Sequence, residues 1–193
     1  MGARVFAGLR LPCSRAIPTL VCPDNDGMTQ RWTPHVTVAA LIERDGRYLL
    51  VEEHTQDGLQ LNNLAGHLDP GEAPEAACAR EALEETTHRF VPTALVGVYL
   101  SRTQRAASGH DITYVRLAYA GTLGEVVPGR TLDTGIVRTV WMTLDEVRAS
   151  VARHRSPLVL RCIEDHARGQ RWPMALVHTD ASVQALGALA GGD

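Results

Sequence analysis

The segment GHLDPGEAPEAACAREALEETT, residues 66 to 87, constrains this chain more than any other. Asp69-Pro70-Gly71 has turn chemistry. Pro74 suits the first position of a helix, where an N–H would have no partner in any case. Residues 74 to about 87 therefore read as one helix. Three of its acidic residues, Glu81, Glu84 and Glu85, fall within five positions, although like charges one turn apart weaken a helix. On a wheel of about 100° per residue they share an arc of about 100°, and Ala76, Ala79 and Leu83 gather on the opposite side. This predicts a helix that buries its small apolar face and presents a compact carboxylate cluster. Two readings fit: an ordinary solvated acidic face, or a seat for something positive. The glutamates lack basic partners one turn on, except that His88 could pair with Glu84. The turn before the helix can also bring backbone carbonyls close. An oxygen-only cluster of this kind suits Mg²⁺, or Mn²⁺, better than zinc.

The 193 residues suffice for one domain with a sizeable core. A net charge of −3 gives no bulk attraction to nucleic acid or to an anionic membrane, so neither is expected as a partner. All 19 basic Lys/Arg positions are arginine, so any phosphate clamp must use arginine forks, helix N-termini or metal. The four cysteines, Cys13, Cys22, Cys78 and Cys162, show no paired spacing; they read as reduced thiols of a cytoplasmic protein. No apolar run approaches the roughly 18 residues that a membrane-spanning helix needs.

Residues 1–28 are arginine-rich, acid-poor and without period; they are expected to be a flexible N-terminal extension, though a transit peptide has a similar composition. The domain is placed at 29–180 and a mobile C-terminal tail at 181–193. Within the domain, HVTVAALIE and RYLLVEE flank the hairpin signal Asp45-Gly46. TALVGVYLSR and DITYVRLAYAG read as two more strands, residues 123–135 as a loop, and VRTVWM as a fifth strand. Thr143 with Glu146 makes a capping box. Ser156-Pro157 opens a helix that Gly169 follows. Strands and helices mix without strict alternation, which predicts an α/β fold with a mixed sheet between helices.

The spacing of the charged residues is more specific than the helix alone. Gly66, five residues, Glu72, seven residues, then Arg80-Glu81-Ala82-Leu83-Glu84-Glu85 resembles the box of the Nudix hydrolases. The match departs at its end, where Thr87 replaces a glycine and His88 an aliphatic residue, so the helix exit is expected to be less comfortable. The segments PHVTVAALIE, GRYLLVEE, LAGHLDPGE, SPLV and GQRWP are similar, in the same order, to the NudJ-type Nudix phosphatases. The resemblance implies an α/β/α sandwich and hydrolysis of phosphoanhydride bonds in nucleoside di- and triphosphates or thiamine-related pyrophosphates. ADP-ribose or dinucleoside-polyphosphate cleavage, or binding without catalysis, are the other activities the fold carries. It also implies Glu81 and Glu85 as Mg²⁺ ligands assisted by Glu84, the Ala65 carbonyl as a further ligand, and a Glu72–Arg80 bridge holding the Gly66 loop to the helix.

The family often takes a general base from a Glu in the loop before the last strand. Here that loop, TLDTGIVRTVW, offers only Asp133, which could serve as base, leave the role to Glu84, or simply form a turn. Arg116 alternates with apolar residues on a strand, so it points either into a cleft or to solvent. Arg155 and Ser156 precede a helix N-terminus, where anions are favoured. Trp32 and Trp172 are candidates for stacking on a base or for packing. The expected partner is a small diphosphate; a monomer and a homodimer both fit.

Overall fold

The computed structural model describes residues 32–105 and 109–184. The expected extension, residues 1–28, lies outside the described residues. So does most of the expected tail, whose beginning, Ala181–Val183, is one 3-10 turn. In chain order the elements are β1 (His35–Leu41), β2 (Glu43–Arg44), β3 (Arg47–Thr55), β4 (Gly58–Asn62), β5 (Leu64–His67), α1 (Pro74–Thr86), β6 (His88–Arg105), β7 (His110–Val126), β8 (Ile136–Thr143), α2 (Leu144–Ala149) and α3 (Leu158–Ala167). None of these helices is long and apolar enough to cross a membrane.

The Asp45-Gly46 turn forms as its residues dictate. Both have positive φ, 53° and 76°, as a two-residue hairpin turn of matching twist demands. Glu43 Oε1 accepts the Gly46 N–H at 2.6 Å. The expected capping box also forms, with Thr143 Oγ1 and the Glu146 carboxylate each accepting the other's backbone N–H.

The strands make two sheets, one of them the mixed sheet expected. One has the order β5-β1-β7-β6, and only its β1–β7 pairing is parallel. In the other, β3 pairs with β2, β4 and β8, all antiparallel. The division falls at Asn63, where the chain leaves β3 and crosses to β1. Leu61 and Leu64, on either side, enter different core clusters. The loop expected at 123–135 is shorter, because β7 keeps pairing with β6 as far as Val126.

β1 is buried on both faces. Val38 and Ala40 point to a core shared with Ala77, Cys78 and Ala82 of α1. Ala39 and Leu41 point to a core shared with Val147 of α2 and Val159, Cys162 and Ile163 of α3. Helices thus cover both sides of the strands, and the architecture is the expected α/β/α sandwich.

Helix α1 corrects the wheel. Its buried residues are Pro74, Ala77, Cys78, Ala82, Glu85 and Thr86, whereas Ala76 is exposed and Ala79 and Leu83 are only partly covered. The helix therefore turns its glutamate side inward. Small residues at 77, 78 and 82 let it approach β1 and β5 closely, and Glu85 finds a backbone donor on β5 at Ala65.

The exit of α1 is the strained point. Thr87 takes the left-handed conformation, φ 61° and ψ 8°, and its N–H reaches the Leu83 carbonyl. Thr86 Oγ1 steadies the turn by donating to Ala82 O at 2.6 Å and accepting the His88 N–H at 3.1 Å. The His88 ring meets the Thr86 carbonyl through Nδ1 at 2.7 Å instead of pairing with Glu84. Left-handed backbone costs an L-residue about 1–2 kcal/mol, more for a β-branched one. Thr87→Gly should therefore raise stability by about 1 kcal/mol, part of the relief being lost to the greater freedom of glycine in the unfolded chain. Urea unfolding of the two proteins checks this, and a destabilised variant would contradict it.

Candidate active site

Gly66 lies at the end of β5, directly under Glu81. A Cβ built on Gly66 would sit 2.0 Å from the Glu81 carboxyl carbon and from Oε2. Any side chain at 66 would occupy the space the carboxylate now fills, so glycine is required for close approach rather than for a special φ. One turn along, Glu85 Oε2 accepts the Ala65 N–H at 2.9 Å. Ala65 thus meets the helix through its amide, which orients Glu85; the role implied by resemblance concerned its carbonyl.

Arg80 ties the loop to the helix. Its Nε and Nη2 grip Glu72 at 2.7 and 2.9 Å in a two-pronged contact, and Nη2 also donates to the His67 carbonyl at 3.0 Å. Glu72 in turn accepts the Asp69 N–H at 3.2 Å, closing the turn. The bridge expected between Glu72 and Arg80 is therefore present. Arg80 Nη1 additionally contacts Glu81 at 2.8 Å and Glu84 at 3.0 Å. Glu84 thus has a basic partner one turn before it, Arg80, rather than the His88 that the sequence offered one turn on. The Arg80 guanidinium holds Glu72 below the ordinary carboxylate range.

The inward carboxylates behave oppositely. Burial pushes Glu85 well above the ordinary range, and the charges of Glu81, Glu53 and Asp133 push the same way against the Ala65 hydrogen bond. Burial also raises Glu81, with Arg80 opposing. Such a pair is crowded with like charge in a poorly solvated place, so a bound cation would relieve it. The donor chemistry fits a hard ion of the Mg²⁺ type, which takes one or two carboxylates and completes its shell with water and phosphate oxygens. Among the described residues no three acidic, histidine or cysteine side chains converge in a group that could hold a metal ion, so Glu81, Glu84 and Glu85 do not form the three-membered cluster the sequence suggests.

Ala65 and Gly66 form one end of a cleft of about 800 Å³. The three residues proposed for substrate, Arg116, Arg155 and Ser156, all line it. Arg116 is 8% exposed. Its Nη1 donates to Asn63 Oδ1 at 3.3 Å, and its Nε is buried without a partner. Arg155 Nη1 pairs with Glu53 Oε2 at 3.1 Å, and Ser156 Oγ accepts the Leu158 N–H at 3.3 Å. Asp133 sits apart from this lining. Its N–H donates to the Glu84 carbonyl at 3.0 Å and its Oδ1 accepts the Thr134 N–H at 2.7 Å, so it shapes the turn beside α1. Trp172 is half exposed and exchanges backbone hydrogen bonds with Leu95 of β6.

Glu53, His67 and Tyr114 also line the cleft, and the sequence did not single them out. His67 and Tyr114 pack with His35 as a cluster of rings 5.7 to 6.3 Å apart. Two acids ending the apolar run RYLLVEE were a usable signal, since a central strand seldom ends in buried carboxylates without a use for them.

A glutamate pair on α1 packed against Ala65 and Gly66, with a buried arginine lining the cleft that these two residues also line, suits a protein that handles anions through a cation. Residues 33–162 match the NUDIX domain family, and the chain belongs to that family: it is a Nudix hydrolase, an enzyme acting on phosphoanhydride bonds. It is 31% identical over 144 residues to Phosphatase NudJ of Escherichia coli K12, covering 75% of this chain and 90% of that one. Among solved structures, a NUDIX hydrolase from Nitrosomonas europaea is 48% identical with a TM-score of 0.70, covering 77% of this chain and 98% of the other. A MutT NUDIX hydrolase from Burkholderia pseudomallei, at 23% identity and a TM-score of 0.56 over 69% of this chain and 98% of its own, shares the fold.

Two expectations follow. Gly66→Ala should displace the Glu81 carboxylate and lower activity by about a hundredfold or more, an effect of about 3 kcal/mol, while the far-ultraviolet circular dichroism stays that of the wild type. Near-normal turnover would show that the close approach is dispensable.

The second concerns pH. A carboxyl whose folded-state pKa lies above its unfolded value binds more protons when folded, so stability falls as pH rises between the two values. In chelator-containing buffer the protein should therefore lose stability as pH rises above about 4.5 towards the raised Glu85 value. Glu85→Gln should melt higher than wild type at neutral pH, and the gap should close as pH falls. Melting curves across this range check the sign.

Proposed function

We propose that this chain is a Mg²⁺-dependent phosphohydrolase, with Mn²⁺ able to substitute, that cleaves nucleoside di- or triphosphates or thiamine-related pyrophosphates. The observation that carries the reading is Arg116: a buried guanidinium with no ion pair to a carboxylate among the described residues and a buried Nε without a partner there, in the same cleft as Ala65 and Gly66. A buried cation without a directly paired carboxylate is costly unless an anion reaches it. A phosphate oxygen supplies that anion, and an arginine fork matches its geometry. The similarity to Phosphatase NudJ supports this subgroup over an ADP-ribose pyrophosphatase.

In this reading Glu81 and Glu85 hold the ion. Bound there, the ion supplies positive charge that neutralises the diphosphate and makes its phosphorus open to attack. Arg80 keeps Glu72, Glu81 and Glu84 in place and so fixes the loop that carries Ala65 and Gly66. Arg116 binds one phosphate oxygen from the cleft floor, and Arg155 with Ser156 meets the rest of the substrate from the opposite wall. Phosphoryl transfer needs chiefly this positioning and charge. We place the enzyme in the cytoplasm, as a monomer or homodimer, with the working unit in residues 29–180 and no need for nucleic acid or membrane.

A panel of nucleotides and thiamine pyrophosphates with Mg²⁺, following phosphate and pyrophosphate release separately, tests the reading. Glu81→Gln should slow turnover about a hundredfold, a loss of about 3 kcal/mol, and should shrink the stabilisation that Mg²⁺ gives the wild type. Unchanged turnover together with an unchanged Mg²⁺ response would remove the glutamate seat from the mechanism.

A further inference from the structure

β3 ends with two neighbouring glutamates that the fold treats differently. Glu52 is 4% exposed and bridges two arginines, Arg138 and Arg153. Both of its oxygens are satisfied, and hydrogen bonding to the arginines holds it below the ordinary carboxylate range. Its charge is fully accounted for within the scaffold. Alternation along the strand sends Glu53 to the other side, into the cleft. There Oε2 receives Arg155 Nη1 at 3.1 Å, and Oε1 is buried with no hydrogen-bond partner among the described residues. A buried carboxylate oxygen without a donor is expensive to maintain. In a wall that also carries Arg116, it points to a molecule that binds there. The pairing of β3 with β8 shifts register between Glu52 and Glu53, and such irregularities re-aim side chains next to active sites.

Glu53 is near enough for its charge to act on Glu85, yet it does not join the glutamates in a three-group cage. Asp133, the one carboxylate of the loop before β8, is occupied in its turn and is absent from the cleft lining. Among the described residues that line the cleft, the one carboxylate is Glu53 of β3.

We propose that Glu53 is the general base of the hydrolysis. The proposal rests on the diphosphate reading above. Water donates its oxygen lone pair to phosphorus, forming a new O–P bond. One water proton passes to Glu53 Oε1. The phosphoanhydride P–O bond breaks, and its electron pair leaves with the bridging oxygen on the departing phosphate. Arg155 holds Oε2 and so aims Oε1. General-base assistance of this kind contributes about 10²- to 10⁴-fold to a rate.

The test uses the full chain with the best substrate of the panel. kcat and KM are measured for wild type, Glu53→Gln and Glu53→Asp, and Mn²⁺ binding is titrated calorimetrically without substrate. Glu53→Gln should lose about a hundredfold or more in kcat while KM and Mn²⁺ affinity stay within about threefold of wild type. Glu53→Asp keeps the base but shortens its reach, and its kcat should lie between the two. Should Glu53→Gln fail to fold, Glu53→Asp decides: a kcat reduced about tenfold with normal Mn²⁺ binding supports the base, and a wild-type kcat overturns it. A Glu53→Gln kcat within about threefold of wild type overturns the proposal, as does a parallel loss of Mn²⁺ affinity, which would make Glu53 an ion holder. A wild type that hydrolyses no member of the panel defeats the diphosphate reading itself, whereas an active wild type with an active Glu53→Gln defeats only the assignment of the base.

Discussion

The close approach of α1 to β5 is the contact on which the site depends. It places the Glu81 carboxyl where a Cβ of residue 66 would otherwise be and lets the Ala65 amide reach Glu85. Ala77, Cys78 and Ala82 make that approach sterically cheap on the helix side. A larger residue at any of these positions would push the helix out and return its carboxylates to water. The result is a helix packed by the face that carries its charge. This is unfavourable for the protein alone, since burial and mutual repulsion both raise Glu85. Local instability held in place by a well-packed scaffold is how binding sites store their affinity.

Arginine does all the cationic work, and its planar fork suits the tasks. Arg80 alone contacts Glu72, Glu81, Glu84 and the His67 carbonyl, which a lysine ammonium on a flexible stem could not hold in register. The same side chain type serves three ends here. Arg80 is structural, Arg138 and Arg153 neutralise Glu52, and Arg116 has no ion pair to a carboxylate among the described residues. The difference lies in the partner, not in the residue. Only the last arrangement, a buried charge with an unused N–H, calls for a ligand from outside.

The two faces of the sandwich divide labour. α2 and α3 cover one side with a conventional apolar core that includes Val147, Val159 and Ile163. Buried there, Cys162 is pushed up to about 12 and Cys78, on the other side, higher still, so neither thiol is poised to react at neutral pH. The residues assigned to the site lie on the ends of β3 and β5, on α1, on β7 at Arg116 and before α3 at Arg155 and Ser156.

The sequence by itself determined the local elements whose signals are short-range. The Asp45-Gly46 turn, the Thr143–Glu146 capping box, the start of α1 at Pro74 and the end of α3 near Gly169 follow from backbone preferences that neighbouring residues set. The spacing of Gly66, Glu72, Arg80, Glu81, Glu84 and Glu85 was equally legible, because loop and helix are contiguous and their contacts are local. Tertiary structure decided the rest. Which face of α1 is buried depends on what lies opposite, and hydrophobicity alone chose Ala76, Ala79 and Leu83, whereas the Ala65 N–H on β5 meets Glu85 and the missing side chain of Gly66 leaves room for Glu81. The division into two sheets at Asn63 depends on partners far along the chain. So does the difference between Glu52 and Glu53, adjacent and identical in type. Arginines from β8 and from the segment before α3 satisfy Glu52 completely and Glu53 by half, a distinction that exists only once residues roughly a hundred positions apart, such as Glu53 and Arg155, are brought together by the fold.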